Sequence, residues 1–302
     1  MFGSYKWLMV IFTVLGVAMT FLEAVFHLNM HLYNNGLALF VQACPFQAKK
    51  DVLMFVIPLY ICFYSSTITL LAVQFIYRYW ALFREKHLKY FSGWKSLVWL
   101  VYVLFFISSW SAIVYCFFQL DEVTAAYFQT EIMTLYNIDT DRVAMIALLA
   151  YDPVDGSIEW KVVGYTFFVS VLMGFQYAIM LYCGWKMHSK MEEKLNNVSD
   201  SLKRHHRQLF KTLVLQITCP TIFLFSPVFL LMYFPFFKLT FHLPIGAVFS
   251  AFSVYPSMDC LIVFLVVTEY RITVKRLRDT LFRRNPKVGN ASSSLFSTQM
   301  NN

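Results

Sequence analysis

Six long apolar blocks divide the sequence and constrain its fold more than any other feature. A helix rises about 1.5 Å per residue, so about twenty apolar residues are needed to cross a hydrocarbon core roughly 30 Å thick. The blocks are long enough for this and predict spanning helices at 7–28, 53–79, 96–120, 162–185, 209–233 and 243–268. The sequence therefore predicts an all-α fold, a polytopic membrane bundle of six helices.

The composition excludes an ordinary soluble domain. Hydrophobic residues make up 59% of the chain and charged residues only 14%, against roughly 25% charged in soluble domains. The net charge of +8 comes from basic residues that lie between and after the apolar blocks. Basic residues in such positions set membrane topology. We therefore expect the partner of these charges to be a lipid bilayer and expect no nucleic acid partner.

Basic residues mark the segments that we expect on the cytoplasmic side. They are concentrated after the second and fourth apolar blocks and again in 271–287, whereas the loop at 121–159 is acidic. The acidic loop is expected outside, and an even number of spans places both termini in the cytoplasm. We divide the chain into a transmembrane domain at 1–271 and a basic, Ser-rich, disordered tail at 272–302.

Glu23 and His27 are polar residues near the outer end of the first predicted span. Being four residues apart, they share one face of a helix, where they would pair and line a pocket. The alternative is that His27 lies at the headgroup level and Glu23 bonds a neighbouring helix. His27 and His31 also have an HxxxH spacing, but two histidines do not fill a metal's coordination sphere, so we expect no metal site.

Arg78 lies in Tyr77-Arg78-Tyr79-Trp80, at the inner end of the second predicted span. A cation among aromatic residues at this depth anchors a helix by extending to the headgroups. The alternative is that Arg78 locks neighbouring helices together until a signal separates them. Composition alone favours the anchor.

Three prolines interrupt the last two predicted spans. Pro220 and Pro227 lie in the fifth span, and Pro256 lies in the sixth. Each removes a backbone hydrogen bond and loosens the helix, either as a hinge of a two-state bundle or as a static kink. Asp259 follows Pro256 by one turn and is an acid in an apolar stretch, so it has to be protonated, hydrated or paired.

No set of nucleophile, base and metal ligands occurs at one membrane depth, because Asp259 lies toward the leaflet opposite Glu23 and His27. We therefore expect no enzyme activity and no cofactor. Of the six cysteines, Cys44 and Cys116 are the two expected on the outer side, and a disulfide between them is a hypothesis.

Six motifs follow one another along the chain, namely Gly3-Ser-Tyr-Lys-Trp-Leu-Met9, Tyr77-Arg78-Tyr79, Asp155-Gly-Ser, the stretch from Gln208 to Gln216, Pro220-Thr-Ile and Tyr255-Pro-Ser-Met-Asp259. In these motifs the chain resembles the nematode serpentine chemoreceptors of class r, the Str group of seven-helix G-protein-coupled receptors. The resemblance extends from Gly3 to about Arg271.

The resemblance implies a multi-pass receptor in the plasma membrane of a sensory-neuron cilium. Such a receptor detects a small-molecule odorant and signals to a heterotrimeric G protein. The family has a helix ahead of the Gly-Ser-Tyr-Lys motif, so this chain is expected to hold six of the family's seven helices. The family also continues Tyr-Pro-x-x-Asp with proline, where this chain has Cys260.

For such a receptor we expect the ligand in the outer half of the bundle, where aromatic bulk suits a small and mostly apolar molecule. By depth and size, the candidate ligand-binding residues are Glu23, Tyr60, Phe63, Tyr64, Trp110, Tyr115, Tyr165, Phe168, Phe225, Phe229 and Phe249. The candidate residues for G-protein coupling or switching are Arg78, Tyr79, Lys203, Arg204, Arg207, Lys211, Pro256, Asp259 and Arg271.

Two alternatives stand beside the signalling receptor. A six-helix channel or transporter would require a selectivity filter or a matching pair of broken helices, and the sequence offers neither. A truncated receptor that does not signal is the second alternative. A measurement of ligand-evoked G-protein signalling distinguishes this truncated receptor from a signalling receptor.

Overall fold

The computed structural model describes residues 3–43, 49–117, 121–139, 144–195, 214–238 and 242–266. One turn at Lys50–Leu53 precedes the second long helix, and 3-10 turns at Glu85–Phe91 and Gly93–Ser96 join it to the third. The long helices are α1 (Gly3–Phe26), α2 (Val56–Phe83), α3 (Leu97–Phe117), α4 (Glu122–Tyr136), α5 (Trp160–Leu195), α6 (Val214–Phe237) and α7 (Ala247–Val266).

The described helices form a membrane bundle. Five of them, α1, α2, α3, α5 and α6, are long and apolar enough to cross a membrane. α7 packs along α1, and α2 contacts α1, α3 and α5. The predicted fold class, a polytopic helical bundle, is confirmed.

Three helices continue past the ends predicted for their spans. α2 extends to Phe83 rather than 79, α5 to Leu195 rather than 185, and α6 to Phe237 rather than 233. Apolarity marks only the part of a helix inside the hydrocarbon, and the Lys, Glu and Met residues of 186–195 continue α5 readily into water. The predicted span residues 118–120, 209–213 and 267–268, and the tail at 272–302, lie outside the described residues.

α2 is the central helix, and every side chain from Tyr64 to Phe75 is buried. The hydroxyls of Thr67 and Thr69 donate to the carbonyls one turn earlier, at 2.9 Å and 2.8 Å. These buried hydroxyls are therefore satisfied within the helix and need no partner elsewhere. A polar side chain of α2 that instead bonds to another helix links the two helices.

A four-stranded antiparallel sheet, which sequence analysis did not predict, covers one end of the bundle. Its strands are β1 (Leu28–Tyr33), β2 (Gly36–Val41), β3 (Met145–Leu149) and β4 (His242–Pro244), in the order β3-β2-β1-β4. β1 and β2 form a hairpin with a two-residue turn, in which Asn34 has a φ of +47°. Asparagine tolerates this left-handed conformation better than most residues.

The sheet lies between the helical bundle and α4. Leu37 and Leu39 pack with the bundle core, whereas the intervening Ala38 and the following Phe40 pack with Phe128 of α4. This alternation follows from the two-residue period of a strand. We call this end of the molecule the sheet end. The opposite end, where basic residues follow α2, is the basic end.

α4 occupies the acidic segment that sequence analysis treated as a loop. Its first turn is capped by Asp121, whose carboxylate accepts a hydrogen bond from the backbone N–H of Thr124 at 2.7 Å. The helix ends at Tyr136 and is followed by the C-cap residue Asn137, which has a φ of +54°. Cap residues at both ends explain why this short helix begins and ends where it does.

Gly16 marks a close approach between α1 and α7. A Cβ atom at Gly16 would lie 2.5 Å from the Cβ of Pro256. We expect Gly16→Ala to separate the two helices and to lower the thermal unfolding midpoint of the detergent-solubilised protein, since overpacking costs about 1–3 kcal/mol. The matched control is Gly174→Ala on α5, where a Cβ would meet no atom within 4 Å. Equal losses in both variants would contradict the close approach.

Candidate functional site

A small apolar cavity of about 80 Å³ lies inside the sheet end of the bundle. Five helices form its walls, and the sheet forms its roof. The lining side chains are Met30, Leu37, Leu39, Tyr60, Ile61, Tyr64, Trp110, Leu148, Tyr165, Val228, Leu231, Met232, Phe249 and Phe252. Apart from the three tyrosine hydroxyls and the indole N–H of Trp110, the lining side chains consist of aliphatic groups, thioethers and aromatic rings, which suits an apolar occupant.

Two tyrosines of α2 connect the cavity wall to neighbouring helices. The Tyr60 hydroxyl donates to the carbonyl of Phe249 on α7 at 3.3 Å, and the Tyr64 hydroxyl donates to the carbonyl of Leu224 on α6 at 2.9 Å. The Tyr64 ring packs edge-on against Trp110, with ring centroids 5.9 Å apart. An occupant that displaces either ring therefore disturbs a bond to another helix.

Five of the predicted ligand-binding residues come together in this cavity: Tyr60, Tyr64, Trp110, Tyr165 and Phe249. Glu23 lies in a separate groove. Phe63 and Phe225 pack in the bundle core without lining the cavity. Tyr115, Phe168 and Phe229 are 78%, 48% and 55% exposed and do not line it either.

The roof of the cavity is the part of the site that sequence reasoning missed. Met30, Leu37 and Leu39 come from the β1–β2 hairpin, and Leu148 comes from β3. A sequence signal was present, because two β-prone runs flank the pair Asn34-Asn35, a composition typical of a two-residue hairpin turn. The predicted architecture, which contains helices alone, does not use this signal.

α6 departs from α-helical geometry beside the cavity. Residues Thr221–Phe225 form a π segment between Pro220 and Pro227. The Thr221 hydroxyl donates to the carbonyl of Ile217 at 2.7 Å, and the Ser226 hydroxyl donates to the carbonyl of Thr221 at 2.6 Å. π segments are frequent at functional sites, and this one contains the Leu224 carbonyl that Tyr64 holds.

A chain of hydrogen bonds joins four helices toward the basic end. Arg78 Nε donates to the Tyr5 hydroxyl on α1 at 2.9 Å, and Arg78 Nη1 donates to the side-chain oxygen of Gln216 on α6. Gln216 Nε2 donates to Asp259 Oδ1 on α7 at 3.0 Å. We call Tyr5, Arg78, Gln216 and Asp259 the polar lock. It links α1, α2, α6 and α7 to one another.

Half of the polar lock is fully buried, which makes the bonds there strong, whereas Tyr5 and Arg78 are half-buried. Gln216 and Asp259 are each 1% exposed. A second glutamine, Gln74, is fully buried and accepts from Arg78 Nη2 at 3.4 Å. Hydrogen bonds to charged groups in such surroundings are stronger than neutral ones, and a lost partner leaves a buried charge unpaired. Of the two interpretations of Arg78, the contacts favour the lock over the headgroup anchor.

The predicted coupling and switch residues fall into two groups. Arg78, Tyr79, Pro256 and Asp259 are described, and Tyr79 is buried beside Phe83, with ring centroids 5.9 Å apart. Lys203, Arg204, Arg207, Lys211 and Arg271 lie outside the described residues. The predicted site residues do not include Tyr5, Gln74 or Gln216, although Tyr5 and Gln216 belong to motifs that carry the family resemblance.

Glu23 faces an open groove of about 520 Å³ between α1 and α7. Its two carboxylate oxygens accept hydrogen bonds from Ser250 and Ser253 of α7, both at 2.6 Å. α1 ends at Phe26, and His27 follows with a φ of +47°. Glu23 therefore bonds a neighbouring helix, as in the second interpretation, and it lines a groove together with His27, as in the first.

α4 is pinned to the sheet by aromatic and polar contacts around His31 of β1. His31 is fully buried, with Nδ1 3.2 Å from the Tyr136 hydroxyl and Nε2 3.3 Å from a Glu131 oxygen. Burial raises the pKa of Tyr136 and that of Tyr127 on the same helix. In the turn that follows β3, hydrogen bonds from Ser157 lower the pKa of Asp155. His31 is thus a structural contact between sheet and helix.

A membrane bundle with a roofed apolar cavity at one end and an interhelical lock at the other has the layout of a polytopic receptor of the serpentine, G-protein-coupled class. The family model described as "Serpentine type 7TM GPCR chemoreceptor Str" matches residues 1–275. The chain therefore belongs to the Str family of serpentine chemoreceptors, a family of receptors and not of enzymes.

Curated relatives from nematodes agree with the family. The chain is 39% identical over 282 residues to the G-protein coupled receptor str-33 of Caenorhabditis elegans, covering 91% of this chain and 81% of that relative. It is 27% identical over 275 residues to the serpentine receptor class r-10 of the same organism, covering 90% of this chain and 80% of the relative. No solved structure matches the chain.

Proposed function

We propose that this chain is a chemosensory receptor that binds a small apolar molecule in the cavity under the sheet and signals to a heterotrimeric G protein. The observation that carries the proposal is the cavity itself, which five helices and the sheet line and in which five predicted ligand-binding residues meet. Family membership supports a receptor rather than the six-helix channel or transporter.

The size of the cavity supports a ligand with few heavy atoms. An engineered apolar cavity of roughly 150 Å³ holds benzene, and drug-sized pockets are several times larger. The cavity here measures about 80 Å³. Its ligand is therefore of the size of a volatile odorant, and larger members of that class enter only when the tyrosine rings move.

A physical connection from the cavity to the polar lock runs along α6. Leu231 of α6 lines the cavity, Leu224 in the π segment is held by Tyr64, and Gln216 nearer the basic end belongs to the lock. A ligand that shifts Tyr64 changes the packing of α6 and biases the equilibrium of the lock. The size of this bias is limited by the difference in the ligand's affinity for the states in which the lock is formed and broken.

The proposal includes an orientation of the receptor in the plasma membrane. The sheet end faces the outside of the cell, and the basic end, with Arg84, Lys86 and Lys89, faces the cytoplasm and the G protein. The excess of basic residues on one side supports this orientation. In this orientation both termini are cytoplasmic. The proposed location of the receptor is a sensory-neuron cilium.

Enlarging the cavity tests the proposed ligand site. Cells that express the full chain with a heterotrimeric G protein are exposed to a series of volatile ketones of increasing length, and G-protein dissociation is recorded. Trp110 is buried in the cavity wall. In Trp110→Ala we expect the most potent ketone to become longer, with gains of roughly tenfold for each methylene that the wild-type cavity excludes.

The control for this experiment is Trp185→Ala, since Trp185 is 60% exposed on α5 and lines no described cavity. It should keep the wild-type order of potency. The same order of potency in Trp110→Ala would contradict the proposed ligand site. A wild-type chain that reaches the cell surface but responds to no ketone, ester or small aromatic compound would favour the non-signalling alternative.

A further inference from the structure

The groove between α1 and α7 differs from the apolar cavity in chemistry. Its lining includes the Glu23 carboxylate, the hydroxyls of Ser250 and Ser253, and the side-chain amides of Asn29 and Gln42. The groove measures about 520 Å³, which is larger than the cavity under the sheet, and it opens at the surface of the bundle. A ligand with a polar head fits this groove better than it fits the cavity.

Glu23 is a carboxylate without a cation. In the described part of the chain, its oxygens bond the two serines of α7 and pair with no lysine or arginine side chain. Hydroxyl donors satisfy the oxygens geometrically but do not neutralise the charge. A carboxylate on a membrane-spanning helix is costly, and a cationic partner lowers that cost.

We propose that the α1–α7 groove is a second binding site, which takes a ligand bearing an ammonium group and uses Glu23 as its counter-ion. The ammonium donates to Glu23 and to the side-chain oxygens of Asn29 and Gln42, two residues that are themselves joined by a hydrogen bond from Asn29 Nδ2 to Gln42 Oε1 at 3.2 Å. The ammonium belongs either to a free small amine or to the headgroup of an aminophospholipid. His27 also lines the groove, so the binding experiments use one fixed pH.

The two sites are in contact through Ser253. Its hydroxyl donates to Glu23 at 2.6 Å and lies 3.5 Å from the Tyr60 hydroxyl, and Tyr60 lines the apolar cavity. An ammonium that draws Glu23 away from Ser253 leaves this serine to bond Tyr60. A ligand in the groove therefore changes a hydrogen bond of Tyr60 in the wall of the cavity. The existence of the groove site does not depend on the proposed odorant function.

The test measures binding and requires no signalling. The full chain is purified in dodecyl maltoside micelles, which carry no ammonium, and its thermal unfolding midpoint is followed against the concentration of n-butylammonium, with n-butanol as the neutral probe. We expect n-butylammonium to raise the midpoint and n-butanol to leave it unchanged. In Glu23→Gln the half-saturating concentration should rise roughly tenfold to a hundredfold, the effect of losing a charged hydrogen-bond partner.

Two further variants complete the test. Glu122→Gln removes a carboxylate exposed on α4 and should bind n-butylammonium like the wild type. Val254→Lys places a tethered ammonium at the rim of the groove, where Val254 is 50% exposed, and should abolish the response even if Glu23→Gln fails to fold. Equal responses to butylammonium in the wild type and in either groove variant would overturn the proposal, as would equal responses to n-butanol.

Phosphatidylethanolamine distinguishes the two sources of the ammonium. If adding this lipid to the micelles raises the midpoint of the wild type and removes the further effect of n-butylammonium, the lipid headgroup is the occupant. If the lipid has no effect while n-butylammonium still binds, the occupant is a free amine. Absence of both effects would overturn the site.

Discussion

Replacing Gln216 by leucine is expected to raise ligand-independent G-protein activation about tenfold, since losing a buried hydrogen bond to a charged partner shifts an equilibrium by about 1.5–3 kcal/mol. Gln216 alone bridges Arg78 of α2 and Asp259 of α7 in the described structure. Leucine is close to glutamine in size but neither donates nor accepts. The measurement is nucleotide exchange on the G protein without ligand, normalised to receptor at the cell surface.

Gln176→Leu is the matched control, because it makes the same substitution at another buried glutamine. Gln176 is 2% exposed and accepts a single bond from the Tyr102 hydroxyl at 2.9 Å, joining α5 to α3 away from the polar lock. Both variants lose a buried amide, so both lower the unfolding midpoint. Raised activity in Gln216→Leu alone supports a lock that restrains signalling. Equal basal activity in the two variants at matched surface density would contradict it.

Filling the cavity should have an effect of similar size on the response to ligand. Leu231 of α6 is buried and lines the cavity. In Leu231→Trp the indole occupies the space that the ligand needs, so the concentration for half-maximal response rises at least about tenfold, corresponding to an overpacking cost of about 1.4 kcal/mol or more. The measurement is the dose–response curve for the most potent ketone of the wild type.

The neighbouring residue provides the control for this change. Leu230 is 50% exposed on the outer face of α6, so Leu230→Trp adds the same side chain to the lipid-facing surface. It should leave the dose–response curve near that of the wild type. Equal loss of potency in Leu230→Trp and Leu231→Trp would mean that the cavity is not where the ligand binds.

The helices were predictable, because crossing a bilayer requires long apolar segments and the sequence contains them. The direction in which their aromatic residues face was not. In a soluble helix, polar residues mark the outside, but lipid is as apolar as a protein core, so this signal is absent. Sequence alone therefore did not distinguish the exposed residues Tyr115 and Phe229 from Tyr60 and Trp110, which line the cavity.

The polar lock shows a different limit of sequence reasoning. Asp259 and Arg78 were recognisable because charges inside a bilayer are rare and costly. Gln216 carries no charge, and its importance depends on the packing of α6 between α2 and α7. The sheet was missed for a related reason, since β2 pairs with β3 across about a hundred residues of chain, and short-range patterns do not report such contacts.

The sheet gives the helices unequal freedom at their two ends. Three separate stretches of chain, which follow α1, α4 and α6, are hydrogen-bonded into it. From Leu231 in the cavity to Gln216 in the lock, α6 extends about 22 Å at 1.5 Å per residue. Because α6 is held at the sheet, it tilts about that end, and its displacement is largest at the lock. A tilt of a few degrees, too small to open the roof, then displaces the far end by more than an ångström, enough to break a hydrogen bond.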